Sequence, residues 1–228
     1  MALFHRYAYT VAAERIREGD RVLDVGFGEG YGAEILRAAD YLGVELDDAV
    51  VAHARARYPG RFERYDGLHL PPGPFDLVVS FQVIEHVRDP DTWLSEIARV
   101  ARCAMFTTPN RVHRLRPGER PWNRHHVTEF EARDLRALLI RHFSNVTVYG
   151  VSGSPEIEAI ELNRFARARK LARLDPFGLR YRLPESVDAR IRRRLRKPLE
   201  VPATFSLSEL HHSEAAAQSG IDLLAIAT

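Results

Sequence analysis

Residues 22–30 read Val-Leu-Asp-Val-Gly-Phe-Gly-Glu-Gly. The apolar, β-branched start of this stretch predicts a strand, which delivers Asp24 to a turn rich in glycine. Because glycine has no Cβ, the backbone at Gly26, Gly28 and Gly30 can turn tightly and approach a ligand closely. A helix that begins at Tyr31 would direct its free N–H groups at that ligand. The stretch therefore predicts a strand–turn–helix unit with a binding site at the turn.

Strand and helix patterns alternate outward from this unit, from about residue 20 to residue 151. Such alternation is typical of a parallel sheet that is covered by helices on both faces. We therefore expect a doubly wound, Rossmann-like α/β fold with a seven-stranded, mostly parallel sheet. The predicted strands are residues 21–25, 41–46, 61–66, 75–81, 103–108, 145–151 and 221–228, and the predicted helices are 31–39, 48–58, 90–100 and 128–142.

Residues 152–220 interrupt this order before the last predicted strand. Between Arg164 and Lys197 there are thirteen Lys and Arg residues against three acids. We interpret residues 152–220 as a basic insertion on the acceptor side of a single domain, residues 1–228. Its charge could meet phosphate, carboxylate or nucleic acid, or it could belong to a solvated helix face.

The composition fits one domain with a substantial core. The chain has 228 residues, of which 45% are hydrophobic, and a formal net charge of +2. So small a net charge gives no field that would demand nucleic acid as the partner. The one cysteine, Cys103, excludes an internal disulfide and fits a reducing compartment. We expect a cytoplasmic protein without a secretion signal or a membrane span.

The spacing of the glycines separates two classes of cofactor. Glu45 ends the next predicted strand, 21 residues after Asp24, where an acid can accept both hydroxyls of a ribose. A dinucleotide site has the pattern Gly-x-Gly-x-x-Gly. This chain instead has Gly-x-Gly-x-Gly with an acid two residues earlier, which resembles motif I of the class I S-adenosylmethionine-dependent methyltransferases.

Further motifs extend this resemblance from about residue 5 to residue 151. They are Asp66-Gly67 after the third strand, residues 75–87 around the fourth strand, and Thr107-Thr-Pro-Asn-Arg111 after the fifth. The resemblance implies S-adenosylmethionine as the cofactor, with its methionine part at the glycine turn, its ribose at Glu45 and its adenine at Asp66 and Gly67. The implied cofactor-binding residues are Tyr7, Asp24, Gly26, Gly28, Gly30, Glu45, Leu46, Asp66, Gly67, Phe81 and Gln82.

The segment after the fourth strand carries the candidate catalytic residues. Gln82-x-x-Glu85-His86 resembles Glu-x-x-Glu-His, a divalent-metal motif of small-RNA 2′-O-methyltransferases and of ubiquinone-pathway O-methyltransferases. In the RNA enzymes a further histidine follows, and His126 matches it. The resemblance thus implies Glu85, His86 and His126 as catalytic residues and as ligands of Mg²⁺ or of a softer divalent ion. Gln82 departs from the motif, and metal-free relatives carry the same Glu-His pair, where the histidine is a base or makes a structural hydrogen bond.

The predicted function is O-methylation of a saccharide or a glycosylated metabolite, with a mannose-type oligosaccharide among the candidate acceptors. The His-Arg-Tyr start at residues 5–7 resembles that of enzymes of polysaccharide biosynthesis, and Asn110, Arg111, Trp122 and Asn123 could bind sugar hydroxyls. The alternatives are 2′-O-methylation of RNA, O-methylation of a phenol or quinone, and a cofactor-binding protein without catalysis. The expected partners are the acceptor and a second copy of the chain, and we interpret His211 and His212 as surface residues.

Overall fold

A single eight-stranded sheet organises the molecule in the computed structural model, which describes residues 2–116, 118–173 and 205–228. The strand order is β3-β2-β1-β4-β5-β8-β6-β7. Strands β1 to β5 pair in parallel, whereas β8 lies antiparallel between β5 and β6, and β7 is antiparallel to β6. The strands are Arg21–Val25 (β1), Asp40–Glu45 (β2), Arg61–Arg64 (β3), Leu77–Phe81 (β4), Ala104–Pro109 (β5), Val146–Ser152 (β6), His211–Ser213 (β7) and Asp222–Ala227 (β8).

Helices cover both faces of the sheet, because neighbouring strand residues point to opposite sides. Leu23 and Val25 of β1 join a core with helices α4 and α6, while Val22 joins the opposite core with α1, α2, α3 and α7. The doubly wound, Rossmann-like α/β fold is confirmed. The helices are Ala2–Ala13 (α1), Gly32–Leu36 (α2), Asp48–Arg57 (α3), Pro90–Val100 (α4), Arg111–Arg114 (α5), Ala132–Leu139 (α6) and Pro155–Arg173 (α7).

Three local features differ from the sequence prediction. The described sheet has eight strands instead of seven, because the short strand β7 pairs with the end of β6. The helix predicted at residues 128–142 begins only at Ala132, because the preceding residues bind other backbone: Thr128 N donates to Glu85 O (3.2 Å), and Phe130 O accepts from Arg111 N (2.9 Å). Helix α1, which no sequence pattern had suggested, packs its apolar side into the second core.

The predicted insertion, residues 152–220, contains α7 and β7. Residues 174–204, which hold most of the predicted basic run, lie outside the described residues, so the single-domain division stays a prediction. His212 is only partly exposed, and it has a partner that the sequence did not suggest: its Nδ1 lies 2.9 Å from Tyr7 Oη. His211 is exposed, as expected. Among the described helices, none combines the length and the apolar character that crossing a bilayer requires.

Candidate active site

The glycine turn leaves open space on one side. Gly26, Gly28 and Gly30 have positive φ values of 78°, 58° and 89°, which side chains with a Cβ rarely adopt. A Cβ added to Gly26 would lie 2.6 Å from Cγ2 of Val83, so the loop after β4 packs against the turn there. At Gly28, by contrast, no described atom lies within 4 Å of an added Cβ. The turn can therefore admit a ligand at Gly28.

Asp24, just before the turn, is completely buried between two tyrosines. The hydroxyls of Tyr9 and Tyr41 both donate to Asp24 Oδ2 at 2.9 Å. Burial raises the pKa of Asp24 to about 7, although the two hydrogen bonds act to lower it. Asp24 Oδ1 is buried and accepts no hydrogen bond from the described residues. The residue thus offers a polar atom beside the turn and ties α1 to β1 and β2.

Glu45 ends β2 with its carboxylate facing the turn. Gly28 N donates to Oε2 (3.2 Å), and Leu46 N donates to Oε1 (2.7 Å). Leu46 itself is half-exposed, and its Cδ2 would lie 3.2 Å from a Cβ on Gly67. The predicted cofactor residues Glu45, Leu46 and Gly67 therefore lie together at the carboxyl ends of β2 and β3, where ligands bind in open α/β sheets.

Asp66 lies beside these residues, but its carboxylate is hydrogen-bonded within the turn formed by residues 66–69. Oδ1 accepts from the backbone N–H groups of Leu68 (2.8 Å) and His69 (2.7 Å), and Oδ2 pairs with His69 Nδ1 (2.6 Å). These bonds, with that to the His69 side chain foremost, hold the pKa of Asp66 well below its ordinary value. The contact of Asp66 with adenine stays a prediction.

Helix α1 brings two aromatic residues, His5 and Tyr9, close to the glycine turn. His5 Nδ1 is hydrogen-bonded to the Tyr31 hydroxyl, and burial lowers the pKa of His5. Tyr9 packs edge-on against Phe81 at the end of β4, with ring centroids 4.9 Å apart. Tyr7 lies between them in sequence, yet its hydroxyl is directed at His212 of β7. Its role in cofactor binding stays a prediction, and His5 and Tyr9 are better placed near the glycine turn.

Glu85, His86 and His126 come together after β4, as the sequence predicted. One ligand atom from each residue lies within 4.8 Å of the others, and the two imidazole centroids are 4.8 Å apart. His86 Nδ1 lies 2.8 Å from the carbonyl oxygen of His125, which can only accept, so this nitrogen carries a proton. His126 Nδ1 likewise lies 2.8 Å from the Glu129 carboxylate. Both rings therefore keep Nε2 for another partner.

The electrostatics of this cluster are set by burial. Glu85 is 1% exposed, and burial raises its pKa to about 8 although Thr108 Oγ1 donates to Oε2 at 3.1 Å. Desolvation lowers the pKa of His86, the exposed member of the cluster, so its ring is neutral at neutral pH. A buried carboxyl beside two imidazoles can hold a cation or exchange a proton.

Gln82 lies between the glycine turn and this cluster. It is a non-glycine residue with a φ of +59°, a strained conformation that often occurs at functional sites. Its Nε2 donates to Asp222 Oδ2 (3.2 Å), and burial raises the pKa of Asp222 to about 6. Gln82 Oε1 is buried, and no described donor reaches it. Gln82 thus presents an acceptor atom directly after β4, three residues before Glu85.

Several residues at the site were missed in the sequence. Asp222 carried a usable signal, because it is an acid at the start of an otherwise apolar strand. Glu129 follows His126 by three residues, which is too common a spacing to attract notice. The others are brought in from distant parts of the chain by the fold alone. The missed residues are Tyr9, Tyr41, Arg114, Glu129 and Asp222.

Known proteins resemble this chain in its sequence. Residues 23–103 match the family model described as a methyltransferase domain. A protein of Mycobacterium tuberculosis described as a probable S-adenosylmethionine-dependent methyltransferase is 38% identical over 168 residues, 69% of this chain and 60% of the relative. A ubiquinone biosynthesis O-methyltransferase of Maricaulis maris is 30% identical over 104 residues, 41% of each chain. The chain therefore spans about 60% of the length of the first of these relatives.

Solved structures resemble its fold. An S-adenosylmethionine-dependent methyltransferase from Thermotoga maritima superposes with a TM-score of 0.60 and 17% identity, covering 99% of this chain and 91% of that one. The magnesium protoporphyrin IX methyltransferase of Synechocystis with bound S-adenosylmethionine gives a TM-score of 0.51 and 19% identity, with 66% and 71% covered. At such identities the likeness concerns the fold, which is the Rossmann-like fold of methyltransferases.

Proposed function

We propose that this chain, which carries an S-adenosylmethionine-dependent methyltransferase domain, transfers the cofactor's methyl group to a hydroxyl of a saccharide-type acceptor with the help of a divalent cation. The observation that carries the proposal is the cluster of Glu85, His86 and His126, whose ligand atoms lie within 4.8 Å of one another. This cluster follows β4, on the side of the sheet where the glycine turn opens. Acceptor and methyl donor would thus meet at the carboxyl ends of β1 and β4.

The residues around the glycine turn fit the cofactor. The open space at Gly28 admits a ligand, and the carboxylate of Glu45 is held at the turn by two backbone N–H groups. Asp24 Oδ1, a buried acceptor atom without a described partner, suits an N–H group of the methionine part. The half-exposed Leu46 offers an apolar surface for adenine.

A hydroxyl acceptor is favoured because the site can handle a proton. Methyl transfer from a sulfonium needs no further activation of the donor, so the protein has to align the acceptor and remove its proton. A bound cation would supply a lowered pKa of the acceptor hydroxyl. Glu85, His86 and His126 would hold the cation, and the Nε2 atoms of the two histidines remain available because each Nδ1–H is already bonded.

The donor set favours a softer ion than magnesium. Mg²⁺ prefers oxygen ligands in an octahedral shell and is usually bound through carboxylates and waters. Two imidazoles with one carboxylate suit Mn²⁺, Co²⁺ or Zn²⁺ better. We therefore propose one of these ions in place of the predicted Mg²⁺.

The acceptor class is proposed from the polar lining of the site. Gln82 Oε1 and Thr107 Oγ1, at the ends of β4 and β5, are buried hydrogen-bonding atoms that no described residue satisfies. Such atoms favour an acceptor with several hydroxyls over an apolar phenol or quinone. Asn110 is not part of this lining, because its Nδ2 donates to Gly220 O (2.9 Å) and its Oδ1 accepts from Val112 N (3.3 Å).

A labelled methyl group tests this function directly. The protein is incubated with isotope-labelled S-adenosylmethionine and a panel of oligosaccharides, small phenols and short RNAs, with Mn²⁺ or with EDTA. We expect label on an oligosaccharide, and its loss with EDTA. Transfer to an oligosaccharide that continues in EDTA would support the acceptor class. It would also indicate that a histidine, and not a cation, activates the hydroxyl. Label on RNA or a phenol alone would overturn the acceptor class, and bound cofactor without any transfer would favour a non-catalytic role.

Substitution of the two histidines should separate catalysis from cofactor binding. In His86→Gln and His126→Gln we expect turnover to fall by at least about 100-fold, the usual contribution of general acid–base groups. The affinity for S-adenosylhomocysteine, measured by calorimetry, should change by less than about threefold, since Glu45 and the glycine turn are intact. His125→Gln is the matched control, because it keeps the backbone carbonyl that accepts from His86 Nδ1. Full turnover in both variants would disprove the acceptor site.

A further inference from the structure

His126 is held by a buried network of charged residues that reaches the insertion. Its Nδ1 lies 2.8 Å from Glu129 Oε1, and the same oxygen accepts from Arg114 Nε at 3.0 Å. The side chains of all three residues are at most 2% exposed. One carboxylate oxygen therefore fixes both an imidazole and a guanidinium in a place where water cannot compete for their hydrogen bonds.

The segment that carries Glu129 is itself tied to the cluster. Val127 N donates to Glu85 O (2.7 Å). Phe130 forms an isolated parallel β-bridge with Asn110, the residue that follows β5. Glu129 lies between these two anchors, before helix α6 begins at Ala132. The backbone that carries Glu129 is therefore fixed relative to Glu85, and the orientation of the His126 ring depends on the Glu129 carboxylate.

Arg114 links this carboxylate to helix α7. The guanidinium carbon lies 4.3 Å from the ring centroid of Trp122 and 5.2 Å from that of Phe165, a fully buried residue of α7. Such contacts hold a planar guanidinium in one orientation. A continuous path of contacts therefore runs from α7 through Phe165, Arg114 and Glu129 to His126.

We propose that Glu129 and Arg114 are positioning residues that hold His126 as the tautomer with its proton on Nδ1. Arg114 Nε donates to Glu129 Oε1, so this oxygen is an acceptor and the Nδ1 that faces it carries a proton. In the neutral ring, Nε2 then keeps its lone pair. Arg114 holds the shared oxygen in place and pairs with the charge of Glu129. Through Phe165, the insertion then helps to prepare the ring that the proposed cation needs. The consequence for cation binding rests on the proposed function, whereas the tautomer itself does not.

Nitrogen chemical shifts of the histidine rings test the tautomer without substrate or cation. Long-range ¹H–¹⁵N spectra are recorded for the EDTA-treated, ¹⁵N-labelled protein, and the His126→Gln spectrum assigns the His126 signals. At alkaline pH, where the ring is neutral, we expect a protonated Nδ1 and an unprotonated Nε2. Glu129→Gln, which keeps an oxygen acceptor, should retain this pattern. Glu129→Met should lose it, because no acceptor then faces Nδ1.

A second variant keeps the test decisive if the Glu129→Met protein fails to fold, since Arg114 would then be a buried charge without its partner. The double variant Arg114→Met with Glu129→Met removes both charges and should also lose the Nδ1–H pattern. Glu161→Gln is the matched control: Glu161 is another buried acid, its carboxylate pairs with Arg164 at 3.1 Å, and its loss should leave the His126 signals unchanged. A proton on Nε2 in the wild type, or an unchanged pattern in the double variant, would overturn the proposal.

Titration with Mn²⁺ and Zn²⁺ then separates this proposal from the proposed function. We expect Glu129→Met, or the double variant, to bind the ion about 10- to 100-fold more weakly, the usual effect of removing the partner of a metal-bound histidine. If the wild type binds neither ion, the cation is no longer part of the proposed function. The nitrogen signals of the His126 ring still decide whether Glu129 positions this residue. If the variants bind the ion as tightly as the wild type, the positioning role is disproved.

Discussion

In Glu45→Ala, the affinity for S-adenosylmethionine is expected to fall by about 100-fold. The carboxylate of Glu45 is held at the turn by Gly28 N (3.2 Å) and Leu46 N (2.7 Å), and we propose that it binds the cofactor's ribose. Hydrogen bonds to a charged group contribute about 1.5–3 kcal/mol each, so the loss of two ribose contacts costs about 3 kcal/mol at least. Calorimetry with S-adenosylhomocysteine measures the effect directly.

Two further variants show whether the ribose contact is responsible. Glu45→Gln keeps one oxygen acceptor but loses the charge, and we expect about a tenfold loss of affinity. Glu63→Ala removes an exposed acid from the neighbouring strand β3 and should leave the affinity unchanged. A dissociation constant of Glu45→Ala within about threefold of the wild type would refute the assignment of Glu45 to the ribose.

Asp24→Asn should make the cofactor-free protein more stable at alkaline pH. The folded pKa of Asp24, about 7, lies above its ordinary value of 3.8, so the folded state holds a proton that the unfolded state releases. The contribution of this proton to the free energy of unfolding is therefore fully present below about pH 4. It is lost as the pH rises through 7. At about 1.4 kcal/mol for each pH unit, the wild type should lose about 4 kcal/mol relative to Asp24→Asn by pH 8.

Urea unfolding of both proteins between pH 4 and 8.5 measures this difference. The asparagine carbonyl can still accept from Tyr9 and Tyr41, so packing around the site is preserved. Asp48→Asn is the control, because Asp48 is exposed and its substitution should leave the pH dependence of stability unchanged. Parallel stability curves for the wild type and Asp24→Asn would contradict the expectation.

Seven of the eight described strands were predictable from the sequence, because they are short apolar runs bounded by glycine, proline and acids. Apolar periodicity could not find β7, whose three residues are His-His-Ser, because neither a hydrophobic pattern nor length marks it. It also missed the extended residues before α6. Their conformation depends on hydrogen bonds to Glu85 and Arg111, which are far away in the chain.

The candidate site was predictable where a motif is local. Glu85 and His86 are adjacent in sequence, and His126 was found through a resemblance to a longer motif. The partners that orient these groups could not be found in this way. Arg114 reaches Glu129 only because α5 and the segment before α6 lie side by side, and Asp222 meets Gln82 only because β8 inserts beside β5.

The position of β8 between β5 and β6 affects how the chain can fold during its synthesis. During synthesis on the ribosome, β1 to β5 can assemble as soon as they emerge, but the partners of β6 among the described strands are β7 and β8, which are made later. Until residue 227 has emerged, β5 presents an unpaired apolar edge, Ala-Met-Phe-Thr-Thr-Pro, to other nascent chains. Such edges favour aggregation. Premature termination before Asp222 should therefore yield an insoluble product, even though the whole glycine turn has already been made.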